Sequence, residues 1–360
     1  MSAVAFFNDG HRVVTGSRDR ILRIWNAQRG TLLGEPLQGH HESVSSVAVS
    51  PDNKRIASGG EDRTVIIWDV ESKQIVFKLV KHIMSVNCVC FPPDGKRLAS
   101  GSNDGTVVIW DTKTGTVLAA LVVQGVWNWV SSVAFSSDGL KLASATLDGN
   151  IHVCRTDNAE LLLKFKAHKE SICGIVWSPD GQQLISASYD NTVKFWNSST
   201  GRQIGQSCTG HTDWILSLAI ASDGSFIATA SYDTTVRLWN TKTYQQIGQP
   251  LEHSNVVLCV AISTNRALLA NGTVHKILYL WSIGNTLQRQ DGQDGYKEEL
   301  EVKQQLRINE AVSLQFLLLF DHISRGESQQ EVLPMPPSQV SISSQRRNDA
   351  QVRSFCPVLM

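Results

Sequence analysis

One recurring phrase limits what this chain can fold into. "ILRIWN", "TVIIWD", "TVVIWD", "NIHVCR", "TVKFWN", "TVRLWN" and "ILYLWS" follow one another along its 360 residues. The marker positions Trp25, Trp68, Trp110, Cys154, Trp196, Trp239 and Trp281 are separated by 43, 42, 44, 42, 43 and 42 residues. A period this constant marks a repeat architecture, in which each unit is one supersecondary element stacked on its neighbours. Inside a unit such as residues 44–79, "VSSVAVSPDNKRIASGGEDRTVIIWDVESKQIVFKL", short β-branched runs alternate with Pro, Asp, Asn and Gly turns. That pattern reads as four antiparallel strands in a meander. So small a sheet cannot bury both of its faces alone, and radial stacking into a ring leaves only short edges.

Gly-His near the start of a unit and Trp-Asp near its end resemble WD40 repeats, clearest in Gly39-His40 to Trp68-Asp69 and Gly210-His211 to Trp239-Asn240. The resemblance covers residues 2–285 and implies an all-β, seven-bladed WD40 β-propeller over residues 1–285. The phrasing of "PDGKRLASGS", "TVRLWN" and "QIGQPLE" is also similar to the repeat regions of fungal NACHT-type sensor proteins. No phosphate-loop pattern GxxxxGK[ST] is present to supply such a sensor's ATPase.

Ser, His and Asp recur in every complete unit, which argues against a hydrolase. A catalytic triad is one constellation beside one pocket. Here the sets are His40, Ser58, Asp62 and Trp68; His82, Ser100, Asp104 and Trp110; His168, Ser186, Asp190 and Trp196; and His211, Thr229, Asp233 and Trp239. By resemblance to WD40 proteins these side chains hydrogen-bond in series and tie the connection between blades onto the sheet. Blade 1 has Thr15, Asp19 and Trp25 but no histidine. Blade 7 has His253 and Trp281 with Asn271 and His275 in place of Ser and Asp. Blade 4 keeps Ser144 and Asp148 but has Val126 and Cys154 where His and Trp belong. Its network cannot form, so apolar packing is expected to hold it, and it is expected to be the weak sector of the ring.

The resemblance also implies that partners bind the top face, at sites three and five residues after the histidine position and just before the turn aspartate. Blades 2 and 3 offer small polar groups there (Ser43 and Ser45, Ser85 and Asn87) together with Glu61 and Asn103, and blade 1 offers Ser2 and Arg18. Blade 4 offers Trp129, Ser131 and Leu147, blade 5 Ser171, Cys173 and Tyr189, and blade 6 Trp214, Leu216 and Tyr232. Aromatics gathered on a rim are the residue types that dominate interface hot spots. Trp127 reads as packing over the missing histidine, and Trp177 as core.

Lys plus Arg and Asp plus Glu balance at 33 each, which gives no sign of nucleic acid or an anionic membrane as partner. The seven cysteines form no CxxC pair and no metal-ligand cluster, so neither metal nor cofactor is expected. Cys88 and Cys90 share a strand face and read as packing. Scattered free thiols and the lack of a signal peptide point to the cytoplasm, with the nucleus as the other compartment. Residues 286–325 break the repeat and are read as a helical extension or as a ring-closing segment. Blade 7's outer strand is expected either from 285–290 or from a later returning segment. Residues 326–360, rich in Gln, Ser and Pro, are read as a disordered tail. Cys356 stands fifth from the end, where prenylation requires the fourth position.

The functional expectation is a non-catalytic scaffold binding a protein or peptide on its top face, within a multiprotein complex. The alternatives are the ligand-sensing module of a fungal NACHT-like receptor, or a ubiquitin-ligase substrate receptor. The last is signalled by Trp-Asp-x-Arg, to which Trp110-Asp111-Thr112-Lys113 is a poor match.

Overall fold

The computed structural model describes residues 1–123, 128–289 and 296–309. They form seven four-stranded antiparallel sheets, each a meander of four consecutive strands. The inner strands are Ala3–Phe6, Val44–Val49, Val86–Cys90, Val130–Phe135, Ile172–Trp177, Ile215–Ile220 and Val257–Ile262. The fourth strands form the outer perimeter. Antiparallel alternation sets the connections between blades, and the turns between second and third strands, on one face of the ring. The remaining turns lie on the opposite face.

Local chemistry sets these turns. In the turn after the first strand, Ser50 donates to Asp52 at 2.6 Å and Ser136 to Asp138 at 2.6 Å. The residue after the aspartate is left-handed, Asn53 at φ 62° and Gly139 at φ 70°, and both types tolerate that conformation.

Each sheet buries its second and third strands almost completely, and an apolar cluster fills every seam between neighbours. Val44, Ile56 and Trp68 meet Phe7, Val14 and Ile24 between blades 1 and 2. Ala230, Leu238 and Val236 meet Val257, Leu269 and Trp281 between blades 6 and 7. Trp177 is buried between blades 4 and 5, where its indole N–H donates to the Ala134 carbonyl at 3.0 Å. Each fully buried Val, Leu or Ile contributes about 1.5–3 kcal/mol, so the seams dominate the energetics.

Side-chain fasteners cross the same seams. The first strand bulges at Ser45, Asn87, Ser131, Cys173, Leu216 and Leu258. A bulge re-aims the unpaired residue. Asn87 donates across to the Val130 carbonyl at 2.8 Å and Ser131 to Ile172 at 2.5 Å, and Ser2 makes the matching bond to Val44 at 2.5 Å. Beside the bulge, Ser46, Ser132 and Ser217 accept from the Val89, Ile175 and Val260 amides at 3.1, 3.2 and 3.2 Å. Three residues read as top-face contacts, Ser2, Asn87 and Ser131, are therefore blade-to-blade fasteners.

Of the two sources the sequence left open for blade 7's outer strand, the structure uses the later, returning segment. Blade 7's third strand runs Ile277–Arg289, and its fourth is Tyr296–Asn309, paired from Ile277↔Asn309 to Arg289↔Tyr296. The propeller therefore passes residue 285, and residues 296–309 are strand where a helical extension was one expectation. An unpaired third strand would leave its backbone groups without partners, and "LRIN" places Leu306 and Ile308 on one strand face. Ile308 is buried beside Trp25, Val13 and Leu280 in the seam between blades 7 and 1. Residues 310–360, including the rest of the 286–325 segment and the tail read as disordered, lie outside the described residues.

Among the described residues no strand is exchanged between blades 1 and 7. Their seam closes through the cluster of Phe6, Val13, Trp25, Leu278 and Leu280, the Met1 amino group on the Thr273 carbonyl at 3.1 Å, and Thr264 Oγ1 on the Asn8 carbonyl at 2.9 Å. Ile308→Ala is expected to cost about 2–5 kcal/mol, measured as a lower urea midpoint with an unchanged slope.

Candidate functional site

The top face is built on the repeated relay. In blade 2 the Trp68 indole N–H donates to Ser58 Oγ at 2.8 Å, His40 Nε2 lies 2.7 Å from that oxygen, and His40 Nδ1 lies 3.0 Å from Asp62. An ionised carboxylate can only accept, so Nδ1 carries the proton given to Asp62, and in the neutral ring Nε2 accepts from the Ser58 hydroxyl. The direction Trp to Ser to His to Asp leaves every group satisfied with a neutral imidazole. Blade 3 repeats it at 2.8, 2.8 and 3.1 Å through Trp110, Ser100, His82 and Asp104. Blade 5 does so at 2.8, 2.8 and 2.8 Å through Trp196, Ser186, His168 and Asp190. Blade 6 uses Trp239, Thr229, His211 and Asp233 at 2.9, 2.7 and 2.7 Å.

A fifth member went unread in the sequence, although "DRT", "DGT", "DNT" and "DTT" signal it. Thr64, Thr106, Thr192 and Thr235 donate to the aspartate two residues earlier at 2.8, 2.5, 2.5 and 2.7 Å. The amides of His41, Ile83 and Thr212 also bond the aspartates of their blades, fixing the connection between blades. Burial alone would raise these carboxyls, but the hydrogen bonds and the histidine outweigh it. Asp190 is held down to about 2, and Asp62, Asp104 and Asp233 also lie below the ordinary range. Burial holds His82 and His168 below the usual imidazole value, against the pull of their aspartates. The Ser58, Ser100, Ser186 and Thr229 hydroxyls belong to fully buried residues and bridge the indole and imidazole of their own blades.

Blade 7 rebuilds a shorter relay. Trp281 donates to Asn271 Oδ1 at 2.7 Å, and Asn271 Nδ2 faces His253 Nε2 at 3.0 Å. An amide supplies both an acceptor and a donor, so it replaces the hydroxyl. In blade 1, Trp25 donates to Thr15 at 2.9 Å, and Asp19 pairs at 2.9 Å with Arg23, whose side chain is 2% exposed.

Blade 4 lacks the relay. Ser144 Oγ and both ring nitrogens of His152 are buried without a hydrogen-bond partner among the described residues. Ser144 and His152 are cross-strand neighbours, and the Cys154 thiol donates to the Leu142 carbonyl at 3.6 Å. Burial, reinforced by the Lys164 charge and opposed by Asp148, pushes His152 down to about 4. Val126 and Trp127 fall outside the described residues.

The expected contact residues stand in pairs because one backbone bond recurs. The residue before each turn aspartate donates to the carbonyl three residues after the histidine position: Glu61 to Ser43, Asn103 to Ser85, Leu147 to Trp129, Tyr189 to Ser171 and Tyr232 to Trp214, at 2.8–3.1 Å. Tyr189 stacks on Trp214 with ring centroids 4.9 Å apart and planes 10° from parallel, and Tyr232 meets Trp214 edge-on at 6.1 Å. Two blades thus share one aromatic platform. Its members are half-buried, as are Trp129 and Leu147 on blade 4. Arg18 and Glu61 attract each other from adjacent blades. Burial holds Glu61 above the usual carboxylate range, against Ser43's hydrogen bond and the Arg18 charge. Asn103 Oδ1 is taken by Asn87 at 2.5 Å. Among the described residues no group of three His, Cys, Asp or Glu side chains is placed to hold a metal ion.

Comparison with known proteins gives consistent likenesses. A family model described as the IFT122 first beta-propeller matches residues 1–179, the anaphase-promoting complex subunit 4 WD40 domain matches 142–219, and the WD domain, G-beta repeat, matches 202–240. The chain is 40% identical over 62 residues to a ribosome biogenesis protein WDR12 homolog of Trichoplax adhaerens, covering 17% of this chain and 14% of that protein. It is 38% identical over 58 residues to Denticleless protein homolog A of Xenopus laevis, 16% of this chain and 8% of the relative. With anaphase-promoting complex subunit cdh1 of Dictyostelium discoideum it shares 50% over 36 residues, 10% and 5% of the two chains. The chain therefore spans only a small part of the relatives it matches.

Three outcomes follow for the relays. Ser186→Ala strands both His168 and Trp196 and is expected to cost about 1–3 kcal/mol, read from urea unfolding. Blade 4 amides are expected to exchange faster than those of blade 5, and equal protection in the two blades counts against the weak-sector reading. Unfolded histidines take up protons below pH 6.5 while folded His152 resists until about 4, so stability present above pH 6.5 is lost as pH falls through that window. His152→Leu is expected to flatten this loss, measured as unfolding midpoints at pH 7 and pH 5.

Proposed function

The repeats of this chain being WD40 repeats, we propose that the protein is a non-catalytic scaffold that binds a protein or peptide on the top face of blades 4 to 6, within a multiprotein complex. The observation that carries this reading is the Tyr189–Trp214–Tyr232 platform, shared by two blades that both carry intact relays. Aromatic side chains supply large contact area at low entropic cost and are the commonest hot-spot residues. Trp129 and Leu147 extend the sector onto blade 4. The paired Arg18 and Glu61, with Asn103, offer a polar rim for orientation. The similarity to Denticleless and to the anaphase-promoting complex subunit cdh1 makes a role in a large assembly the natural setting. It also keeps a ubiquitin-ligase substrate receptor as the second reading, and the cytoplasm or nucleus fits either.

A finer assignment, the ligand-sensing repeat module of a fungal NACHT-like receptor, rests on repeat phrasing. A coding region for a nucleotide-binding domain adjoining this sequence would support it.

Affinity capture from host extract, comparing wild type with a Trp129→Ala/Trp214→Ala variant of equal thermal stability, tests the site. Each lost hot spot is worth about 2 kcal/mol, so binding is expected to weaken more than tenfold. Undiminished capture of the same protein by the folded variant removes the aromatic sector as the site.

A further inference from the structure

The outward edges of the seven blades are not alike. Among the described residues, the large apolar side chains that remain exposed gather on the neighbouring blades 2, 3 and 4 and their connections, with Val80 71%, Leu118 50%, Val122 65% and Leu161 49% exposed. Blade 3 is the centre of this sector, and its outer strand Val117–Val122 reads VLAALV.

An outer strand is a sheet edge, with a row of backbone N–H and C=O groups left unpaired. Folded proteins usually blunt such edges with charge, proline, brevity or an irregularity. Six of the seven blades do so. Blade 1's outer strand is two residues long, Leu37–Gln38. Blade 2 carries Lys78, and blade 4 carries Lys164 and Lys166. Blade 5 has Gly205 at φ 62°, and blade 6 has Pro250. Blade 7's strand is rich in Lys and Glu. The blade 3 strand has no charge, proline or glycine. Its register shift beside Trp110 also occurs in blades 2 and 4, so it does not set this edge apart.

We propose that the outer strand of blade 3 pairs antiparallel with the same strand of a second copy, about a two-fold axis through Ala120. Symmetric antiparallel pairing sets one residue opposite itself. In this register Ala120 meets its own counterpart, and Leu118 of each copy meets Val122 of the other. These are three exposed positions on one face of the strand. A small residue on the axis, flanked by large ones, lets the two backbones approach while the exposed apolar groups cover each other. Charge selects this edge over its neighbours, because the same pairing centred on Lys78 or on Lys164 sets lysine against lysine. Six residues of strand span about 20 Å. So short an edge cannot by itself bury the about 1,200–2,000 Å² of a stable interface, so the dimer is weak and appears only as concentration rises. The inference concerns a different surface from the top-face reading and stands apart from it.

Sedimentation velocity of the full chain over a concentration series, with hydrogen exchange at its two extremes, tests the pairing. The expected result is a sedimentation coefficient that rises with concentration while amides of residues 117–122 slow selectively. Ala120→Lys, an exposed substitution that sets like charges on the axis, is expected to weaken dimerisation more than tenfold without lowering the melting temperature. Val80→Lys on blade 2 leaves it unchanged. A monomer at every concentration overturns the proposal. So does a dimer that Ala120→Lys does not weaken, or slowing that falls on another strand or needs a different protein.

Discussion

Every blade of this protein has two apolar faces and too few residues to cover either. The second and third strands of each sheet are buried on both sides, as in Arg55–Gly60 and Thr64–Asp69, whose residues are almost all inaccessible. Only another sheet, packed face to face, provides that cover, and the last sheet must find the first. The ring follows from this requirement. Blade 7 and blade 1 meet it without exchanging a strand, because Phe6, Val13 and Trp25 on one side and Leu278, Leu280 and Ile308 on the other complete a seam like the other six.

Polar groups then fix what apolar packing leaves loose. Side-by-side sheets can slide, and Asn87 and Ser131, at two of the first-strand bulges, limit this by bonding the next blade's backbone, as Ser2 does in blade 1. The relays act within a blade: they pin the incoming connection to the second and third strands, so the top of each blade is set to within a hydrogen bond. The platform of Tyr189, Trp214 and Tyr232 stands on blades 5 and 6, both of which carry an intact relay. Blade 4 offers the contrast. With Cys154 in place of tryptophan, Ser144 loses its donor, and His152 is buried neutral beside it. The aromatic platform on blades 5 and 6 thus adjoins the blade that lacks a relay.

Much of this was legible because repetition turns one local pattern into seven observations. The relay members could be named in advance from spacing, since a hydroxyl ten residues before an indole and a carboxylate four residues after that hydroxyl recur in register. The threonine that completes each aspartate's shell was equally periodic and was overlooked because Thr after a turn reads as strand propensity. The replacement of Ser by Asn271 was read only as a departure from the repeat, although an amide supplies both roles a hydroxyl plays. Asn87 and Ser131 looked like surface groups, because nothing local reveals that a bulge turns them toward the next blade.

The sequence by itself determined the blade, the number of blades and the chemistry of each turn. These depend on the two-residue period of strands, on β-branched packing and on left-handed turn positions, all of which act within about forty residues. Only the tertiary structure decided how the ring closes and what its surfaces present. Residues 296–309 became a strand because the edge of Ile277–Arg289 required hydrogen-bond partners and the seam beside Trp25 required Ile308. Likewise Tyr189 and Trp214, 25 positions apart in sequence, became one platform because neighbouring blades bring their tops together. Such contacts depend on how whole sheets pack, and no local pattern of residues contains that information.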